Sequence, residues 1–169
     1  ILEIDNYRLM IDCGLFQGLK QLRLLNWEPF PIDPATIDAV IITHAHIDHT
    51  GYLPKLVKEG FTGKIYCTEA TASLMELMLL DSAKLQEEEA EWAKKKGYSK
   101  HASPQPLYGI EEAKRALQQR ISAHYESIIS ITDKISFQFH NAGHILGSAF
   151  VELILHGESQ DKRIVFSGD

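Results

Sequence analysis

The sequence contains few cysteines, no long apolar run and no excess of basic residues. Both of its cysteines, Cys13 and Cys67, lie in apolar, strand-like segments, which argues against a disulfide framework or a cysteine-based zinc site. No uncharged apolar stretch reaches the roughly 18 residues of a membrane-spanning helix, and the N-terminus lacks the features of a signal peptide. We therefore expect a cytoplasmic protein without membrane contact, in which both cysteines are buried.

The formal net charge is −6, which argues against a chain that binds nucleic acid through broad electrostatic attraction alone. An anionic substrate held through metal ions is still compatible with this charge, because divalent cations can reverse the local field. The 169 residues and 44% hydrophobic content suit one domain or part of one. Since the chain starts within a strand pair (LEI and YRLMID, around Asp5 and Asn6) and stops at VFSGD, we expect a fragment of a longer polypeptide.

Apolar, β-branched runs alternate with helical patterns along the chain. The strand at 39–43 is apolar on both faces, which is typical of a central strand, whereas 149–155 alternates as a half-exposed strand does. This alternation predicts an α/β or α+β fold with layered sheets. The full pattern predicts strands at 7–12, 39–43, 64–67, 135–140, 149–155 and 163–167, and helices at 52–59, 69–96 and 110–122.

Residues 42–51, ITHAHIDHTG, place three histidines and an aspartate directly after an apolar strand. Because residues two apart on a strand face the same side, His44 and His46 can share one metal ion. Asp48 and His49 follow at a turn, where consecutive side chains diverge, so they could serve a second ion beside the first. Imidazole and carboxylate are ligands expected of Zn²⁺, and they also suit Mn²⁺ or Fe.

Two further ligand-type residues lie far along the chain. His144 sits in the glycine-flanked stretch HNAGHILGSA after the strand at 135–140, and Asp169 ends the strand VFSGD. Side chains delivered from the ends of separate strands to one edge of the sheets would form a preorganised binuclear site. For the remaining histidines we expect surface or structural roles, with His140 the nearest in sequence to a candidate ligand; these are His101, His124, His140 and His156.

The motifs resemble those of a known family. THAHIDH matches the HxHxDH motif of the metallo-β-lactamase superfamily, and IDCG, NAGHILGSA and FSGD look like its first, third and fourth motifs in order. NAGHILGSA, together with LMIDCGLFQG and LLDSAKLQEEEA, resembles the β-CASP branch, which processes RNA or DNA. The resemblance implies an αββα sandwich that is incomplete in this chain. Residues 1–169 would be its N-terminal portion, without the β-CASP cap and the C-terminal portion.

The resemblance also implies roles for individual residues. It makes His44, His46 and His144 ligands of one zinc ion and Asp48 and His49 ligands of a second, with Asp169 bridging both. Asp12, in IDCG, looks like the aspartate that accepts the free N–H of ligand histidines and so orients them. Asp48 would also be catalytic, because it would orient the attacking water and act as general base. In the family a later histidine completes the second zinc site, so we expect this chain alone to bind that ion weakly and to cleave little.

The function implied for the full-length protein is zinc-dependent hydrolysis of phosphodiester bonds, in RNA processing or decay, with DNA as the alternative substrate. A second interpretation is a thioesterase or lactonase of the same superfamily. The long charged helical stretch before His144 and the motif GHILGSA argue against it. A non-catalytic scaffold subunit is a third. It is disfavoured because every ligand position that the chain covers is filled. The sequence gives no prediction of the oligomeric state.

Overall fold

The structure is a computed structural model that describes residues 1–96 and 104–169, and it consists of two facing sheets with helices packed on the first. In the first sheet β1 runs antiparallel to β2 and the later neighbours are parallel. Its strands, in spatial order, are β1 (Leu2–Ile4), β2 (Tyr7–Ile11), β3 (Ala39–Ile41), β4 (Lys64–Thr68) and β5 (Arg120–Ala123). The second sheet is antiparallel, with β6 (Ile129–Thr132), β7 (Ile135–Asn141), β8 (Ala149–Leu155) and β9 (Lys162–Phe166) in that order.

The helices connect the strands of the first sheet, as parallel pairing requires. They are α1 (Lys20–Leu24), α2 (Ile47–Thr50), α3 (Leu53–Lys58), α4 (Glu69–Lys96) and α5 (Ile110–Gln118), with short 3₁₀ turns at Leu25–Trp27 and Pro34–Thr36. None of the helices in the described part of the chain combines the length and the apolar character needed to cross a membrane.

Two hydrophobic cores join the helices and the two sheets: one lies between the helices and the first sheet, and the other lies between the two sheets. Alternate residues of β3 enter different layers: Val40 packs toward the helices and Ile41 toward the second sheet, and both are fully buried. Between the sheets, Ile41 joins Phe137, Val151 and Leu153. The strand predicted at 39–43 is found at Ala39–Ile41, two residues shorter, and it is covered on both faces as its composition predicts. The carboxyl end of β3 lies between the two layers.

The predicted α/β class is confirmed, and helix, sheet and sheet follow one another as in an αββα sandwich. The helix predicted over 110–122 is wrong beyond Gln118, because residues 120–123 form β5 and Ile121 pairs with Tyr66 of β4. The helical apolar spacing continues through this stretch, and only the long-range pairing selects a strand. Strand β6 and helix α1 were not predicted, and the turn predicted at Asp48 and His49 is the short helix α2. Both cysteines are buried as expected.

Candidate metal centre

The first part of the candidate site lies where β3 ends. Beyond Ile41 the strand ends, and a short segment with a bend at Thr43 leads to His46, which occupies the N-cap position of the four-residue helix α2. His44 and His46 face the same side, with Nε2 of His44 3.0 Å from Nδ1 of His46. Asp48 and His49 lie on α2 itself, so the turn of the helix directs their side chains to a neighbouring position.

The segment after β2 holds α2 in place. The backbone N–H of Cys13 donates to the carbonyl of His49 (2.7 Å), and that of Leu15 donates to the carbonyl of Ile47 (3.0 Å). Between them, Gly14 lies so close to α2 that a Cβ atom there would be 1.6 Å from the carbonyl oxygen of Asp48. Any side chain at position 14 would therefore displace the helix that carries Asp48 and His49.

Asp12 connects the two strand ends through its side chain. Its backbone has a left-handed φ of 55°, and Oδ1 accepts the backbone N–H of Thr43 at 2.8 Å. Oδ2 accepts the Thr43 hydroxyl and also lies 2.8 Å from Nδ1 of His49. With Nδ1 held in this way, the Nε2 atom of His49 faces Asp169. The motif resemblance implies a contact of this type for Asp12, and in the structure the partner is His49.

His144 comes from the second sheet. It lies in the loop between β7 and β8, where the Ser148 hydroxyl oxygen accepts the backbone N–H groups of His144 (3.0 Å) and Ile145 (3.1 Å). The N–H of Ala149 donates to the carbonyl of Thr43, which joins the start of β8 to the end of β3. Nε2 of His144 consequently lies 3.2 Å from Nδ1 of His46, across the seam between the sheets.

Asp169 lies between the two parts of the cluster. One carboxylate oxygen is 3.9 Å from Nε2 of His44 and the other is 3.5 Å from Nε2 of His49. Among the described residues, two groups bring ligand atoms within 4.8 Å of one another, and both include Asp169. The first is His44, His46, His144 and Asp169, and the second is Asp48, His49 and Asp169.

These donor sets fit divalent metal ions. In a tetrahedral zinc site with nitrogen ligands about 2.0–2.1 Å from the ion, the ligand atoms are roughly 3.3 Å from one another. The distances of 3.0 Å and 3.2 Å from His46 Nδ1 to its two imidazole neighbours are close to that value. The three nitrogens thus converge on one position, and the shared carboxylate lies toward the second group.

The electrostatics of the cluster differ between its two parts. Burial and the neighbouring imidazoles lower the pKa of His44 to about 4, so its ring is neutral and able to bind a metal at neutral pH. Burial also acts to lower the pKa of His49, but the hydrogen bond and the charge of Asp12 outweigh it and raise that pKa. For Asp12 itself, burial raises the pKa against the opposing hydrogen bonds from His49 and Thr43.

The remaining described histidines lie outside this cluster. His140 is held between Glu126 and Glu152, His156 contacts Ser136 and Asp161, and the exposed His124 is 3.6 Å from Glu69. His124 follows strand β5, so its predicted position after a helix is wrong. His101 lies outside the described residues.

Sequence reasoning did not identify Thr43 or Ser148, whose polar atoms hold Asp12 and the backbone of His144. Thr43 directly precedes the first histidine of the motif, and Ser148 closes the stretch GHILGS. Hydroxyl residues beside candidate ligands were therefore the available signal. The partner of Thr43, Asp12, is 31 positions away and is not visible in the local pattern, whereas Ser148 binds backbone N–H groups of its own loop.

Comparisons with known proteins connect this geometry to a family. The family model described as the metallo-beta-lactamase superfamily matches residues 1–169. The chain is 39% identical over 162 residues to Ribonuclease TTHA0252 of Thermus thermophilus, covering 96% of this chain and 32% of that protein. It is also 36% identical to the transcription termination factor FttA of Methanothermobacter thermautotrophicus, covering 99% of this chain and 24% of that protein. The chain thus spans about a quarter to a third of the length of these relatives.

Solved structures agree on the fold. BJP-1, a subclass B3 metallo-beta-lactamase of Bradyrhizobium japonicum, aligns with a TM-score of 0.53 at 16% identity, over 98% of this chain and 53% of that chain. A B3 metallo-beta-lactamase with an active-site glutamic acid aligns with a TM-score of 0.55 at 18% identity, over 97% and 54%. At such low identity the likeness concerns the fold alone.

Proposed function

This chain belongs to the metallo-β-lactamase superfamily, and from that membership we propose that the full-length protein is a metal-dependent nuclease that hydrolyses RNA. The observation that supports this proposal is that ligand-type side chains from the segment after β3, from α2, from the β7–β8 loop and from Asp169 converge on two adjoining positions. The names of its relatives, a ribonuclease and a transcription termination factor, support RNA as the substrate in preference to DNA.

The proposed ligand set follows the two groups. His44, His46 and His144 would hold one zinc ion, Asp48 and His49 a second, and the Asp169 carboxylate would bridge them. Mn²⁺ or Fe would suit the same nitrogen and oxygen atoms. Bound ions of this kind supply Lewis acidity that lowers the pKa of water and neutralises charge on a phosphate.

The protein side chains have separate tasks in this proposal. Asp48 is exposed at the start of α2, so its carboxylate can accept a hydrogen bond from the attacking water, orient it and receive its proton. Asp12 fixes the ring of His49 by accepting the proton on Nδ1, which leaves Nε2 for the metal. Burial and neighbouring imidazoles keep His44 unprotonated.

The rest of the full-length protein completes the proposed enzyme. We place this chain as the N-terminal portion of a metallo-β-lactamase domain of the β-CASP branch, with the cap and the remaining strands following Asp169. Contacts between metal ions and phosphate groups carry no sequence information, so selection of the RNA would come from the cap. A cytoplasmic location is consistent with an RNA substrate.

The test uses the full-length protein with an end-labelled single-stranded RNA and measures cleavage on gels. Asp48→Ala should abolish cleavage and leave the circular dichroism spectrum unchanged, whereas the matched change His124→Ala, at an exposed residue outside the cluster, should retain activity. Normal turnover by Asp48→Ala would refute the assignment. Parallel assays with a thioester and a lactone separate the nuclease from a small-molecule hydrolase, and hydrolysis of these compounds without RNA cleavage would favour the latter.

A further inference from the structure

Two threonine hydroxyls meet at one carbonyl beside the candidate site. Thr68 ends β4 and Thr71 lies in the first turn of α4, and their Oγ1 atoms donate to the carbonyl oxygen of Gly147 at 2.7 Å and 2.9 Å. The Thr68 hydroxyl also accepts the backbone N–H of Thr71 at 3.2 Å. Both threonines are almost completely buried, so water does not compete for these contacts.

The backbone of Gly147 is adapted to this contact. Its φ is +83°, and a Cβ atom there would lie 2.4 Å from the backbone nitrogen of Thr71. The loop between β7 and β8 is therefore pressed against the start of α4 with no intervening side chain. A β-carbon would be strained by the φ angle and would also push the loop away from the helix.

The residue after Gly147 contacts the backbone of the candidate metal ligand His144. Gly147 is followed by Ser148, whose hydroxyl oxygen accepts the backbone N–H of His144. The phenol of Tyr125, in the turn between β5 and β6, donates to the carbonyl of Ser148 at 2.8 Å and holds the same residue. Hydrogen bonds thus link the backbone of His144, through Ser148 and Gly147, to Thr68 on β4 and Thr71 on α4. Neither β4 nor α4 carries a candidate ligand.

We propose that Thr68 and Thr71 are positioning residues for His144, which fix its loop so that its imidazole reaches the metal position shared with His44 and His46. This inference rests on the proposed function, since it takes the cluster to be a metal site. A buried carbonyl needs donors, and loss of either hydroxyl would let the carbonyl of Gly147 shift toward the remaining donor and carry the loop with it. Partners that orient a ligand typically change metal affinity by about 10- to 100-fold when they are removed.

The test measures metal binding by the full-length protein, with Zn²⁺ titrated against a chromophoric chelator and Co²⁺ absorption as the spectroscopic signature. Thr71→Val keeps the shape of the side chain and removes the hydroxyl, whereas Thr71→Ser keeps the hydroxyl. We expect Thr71→Val to weaken one of two bound ions by about 10- to 100-fold and to alter the Co²⁺ spectrum. Thr71→Ser should restore both readouts, and Thr68→Val should repeat the loss.

Ser136→Ala serves as the matched control, because Ser136 is a buried hydroxyl whose partner is His156 and not a site residue. It should leave the affinity for both ions unchanged. Wild-type affinity in Thr71→Val, or an equal loss in Thr71→Ser, would overturn the positioning role while the proposed function stands. A wild-type protein that binds no metal would overturn both proposals together.

Discussion

The carboxylate of Asp12 lies 2.8 Å from Nδ1 of His49, although 37 positions separate the two residues in the chain. The same carboxylate accepts the backbone N–H and the hydroxyl of Thr43. One side chain at the end of β2 thus determines both the direction of the chain leaving β3 and the orientation of a ring on α2. Three elements that carry or precede candidate ligands are connected at this single residue.

Asp12→Asn should therefore weaken metal binding at the Asp48 and His49 position by about 10- to 100-fold. Asparagine tolerates the left-handed backbone of Asp12, so the change removes the charge and one acceptor without straining the chain. The measurement is a metal titration of the full-length protein. Asp38→Asn is the control, since Asp38 accepts the backbone N–H of Arg8 at the opposite end of β2. An equal effect of both changes would contradict the role of Asp12.

Gly14→Ala should destabilise the protein by about 3 kcal/mol or more, because the new methyl group would overlap the carbonyl of Asp48 and the backbone must shift. Gly18→Ala is the matched change. Gly18 has a φ of +83° but open space around its Cβ position, so only the backbone strain of roughly 1–2 kcal/mol should appear. Urea unfolding measures both values. A Gly14→Ala protein no less stable than Gly18→Ala would show that α2 is not held as tightly as described.

The metal-free protein should lose stability through His44 as the pH falls. Its folded-state pKa of about 4 lies below the ordinary value of 6.5, so between these values the unfolded chain binds a proton that the folded chain excludes. The contribution is complete above pH 6.5 and is lost as the pH falls toward 4. His49 acts in the opposite direction, because its raised pKa favours the folded state at low pH.

Unfolding experiments with a chelator present, at pH 7 and pH 5, separate the two histidines. His44→Asn should lose less stability between these pH values than the wild type, whereas His49→Asn should lose more. If the same loss occurs in all three proteins, these two residues do not govern the pH dependence.

Zinc should stabilise the folded protein, because the cluster exists only in the folded state. An ion at 1,000 times its dissociation constant contributes about 4 kcal/mol, which calorimetry detects as a higher Tm that a chelator reverses. His144→Asn should reduce this increase, and His124→Asn, at an exposed residue outside the cluster, should not. Full zinc stabilisation of His144→Asn would exclude His144 as a ligand.

Much of this arrangement could be predicted from the sequence, and the exceptions have a common cause. The central strand, predicted at 39–43 and found at Ala39–Ile41, follows from local periodicity, and so does the shared side of His44 and His46. Residues 120–123 were assigned to a helix because their pairing with β4 is not local. The threonine contacts likewise span 79 and 76 positions, so no local pattern distinguishes Thr68 and Thr71 from other buried hydroxyls.

The seam between the two sheets also bears on how the molecule folds. His46 and His144 are 98 positions apart and meet only where the carboxyl end of β3 joins the start of β8. Closing so long a loop is entropically unfavourable until both sheets have formed and packed together. We therefore expect the full set of nitrogen and oxygen atoms to come together only after the two sheets have packed. A chain that has formed only its first sheet would lack His144 at the metal position, so binding of the ion by all three histidines would require the second sheet to be in place.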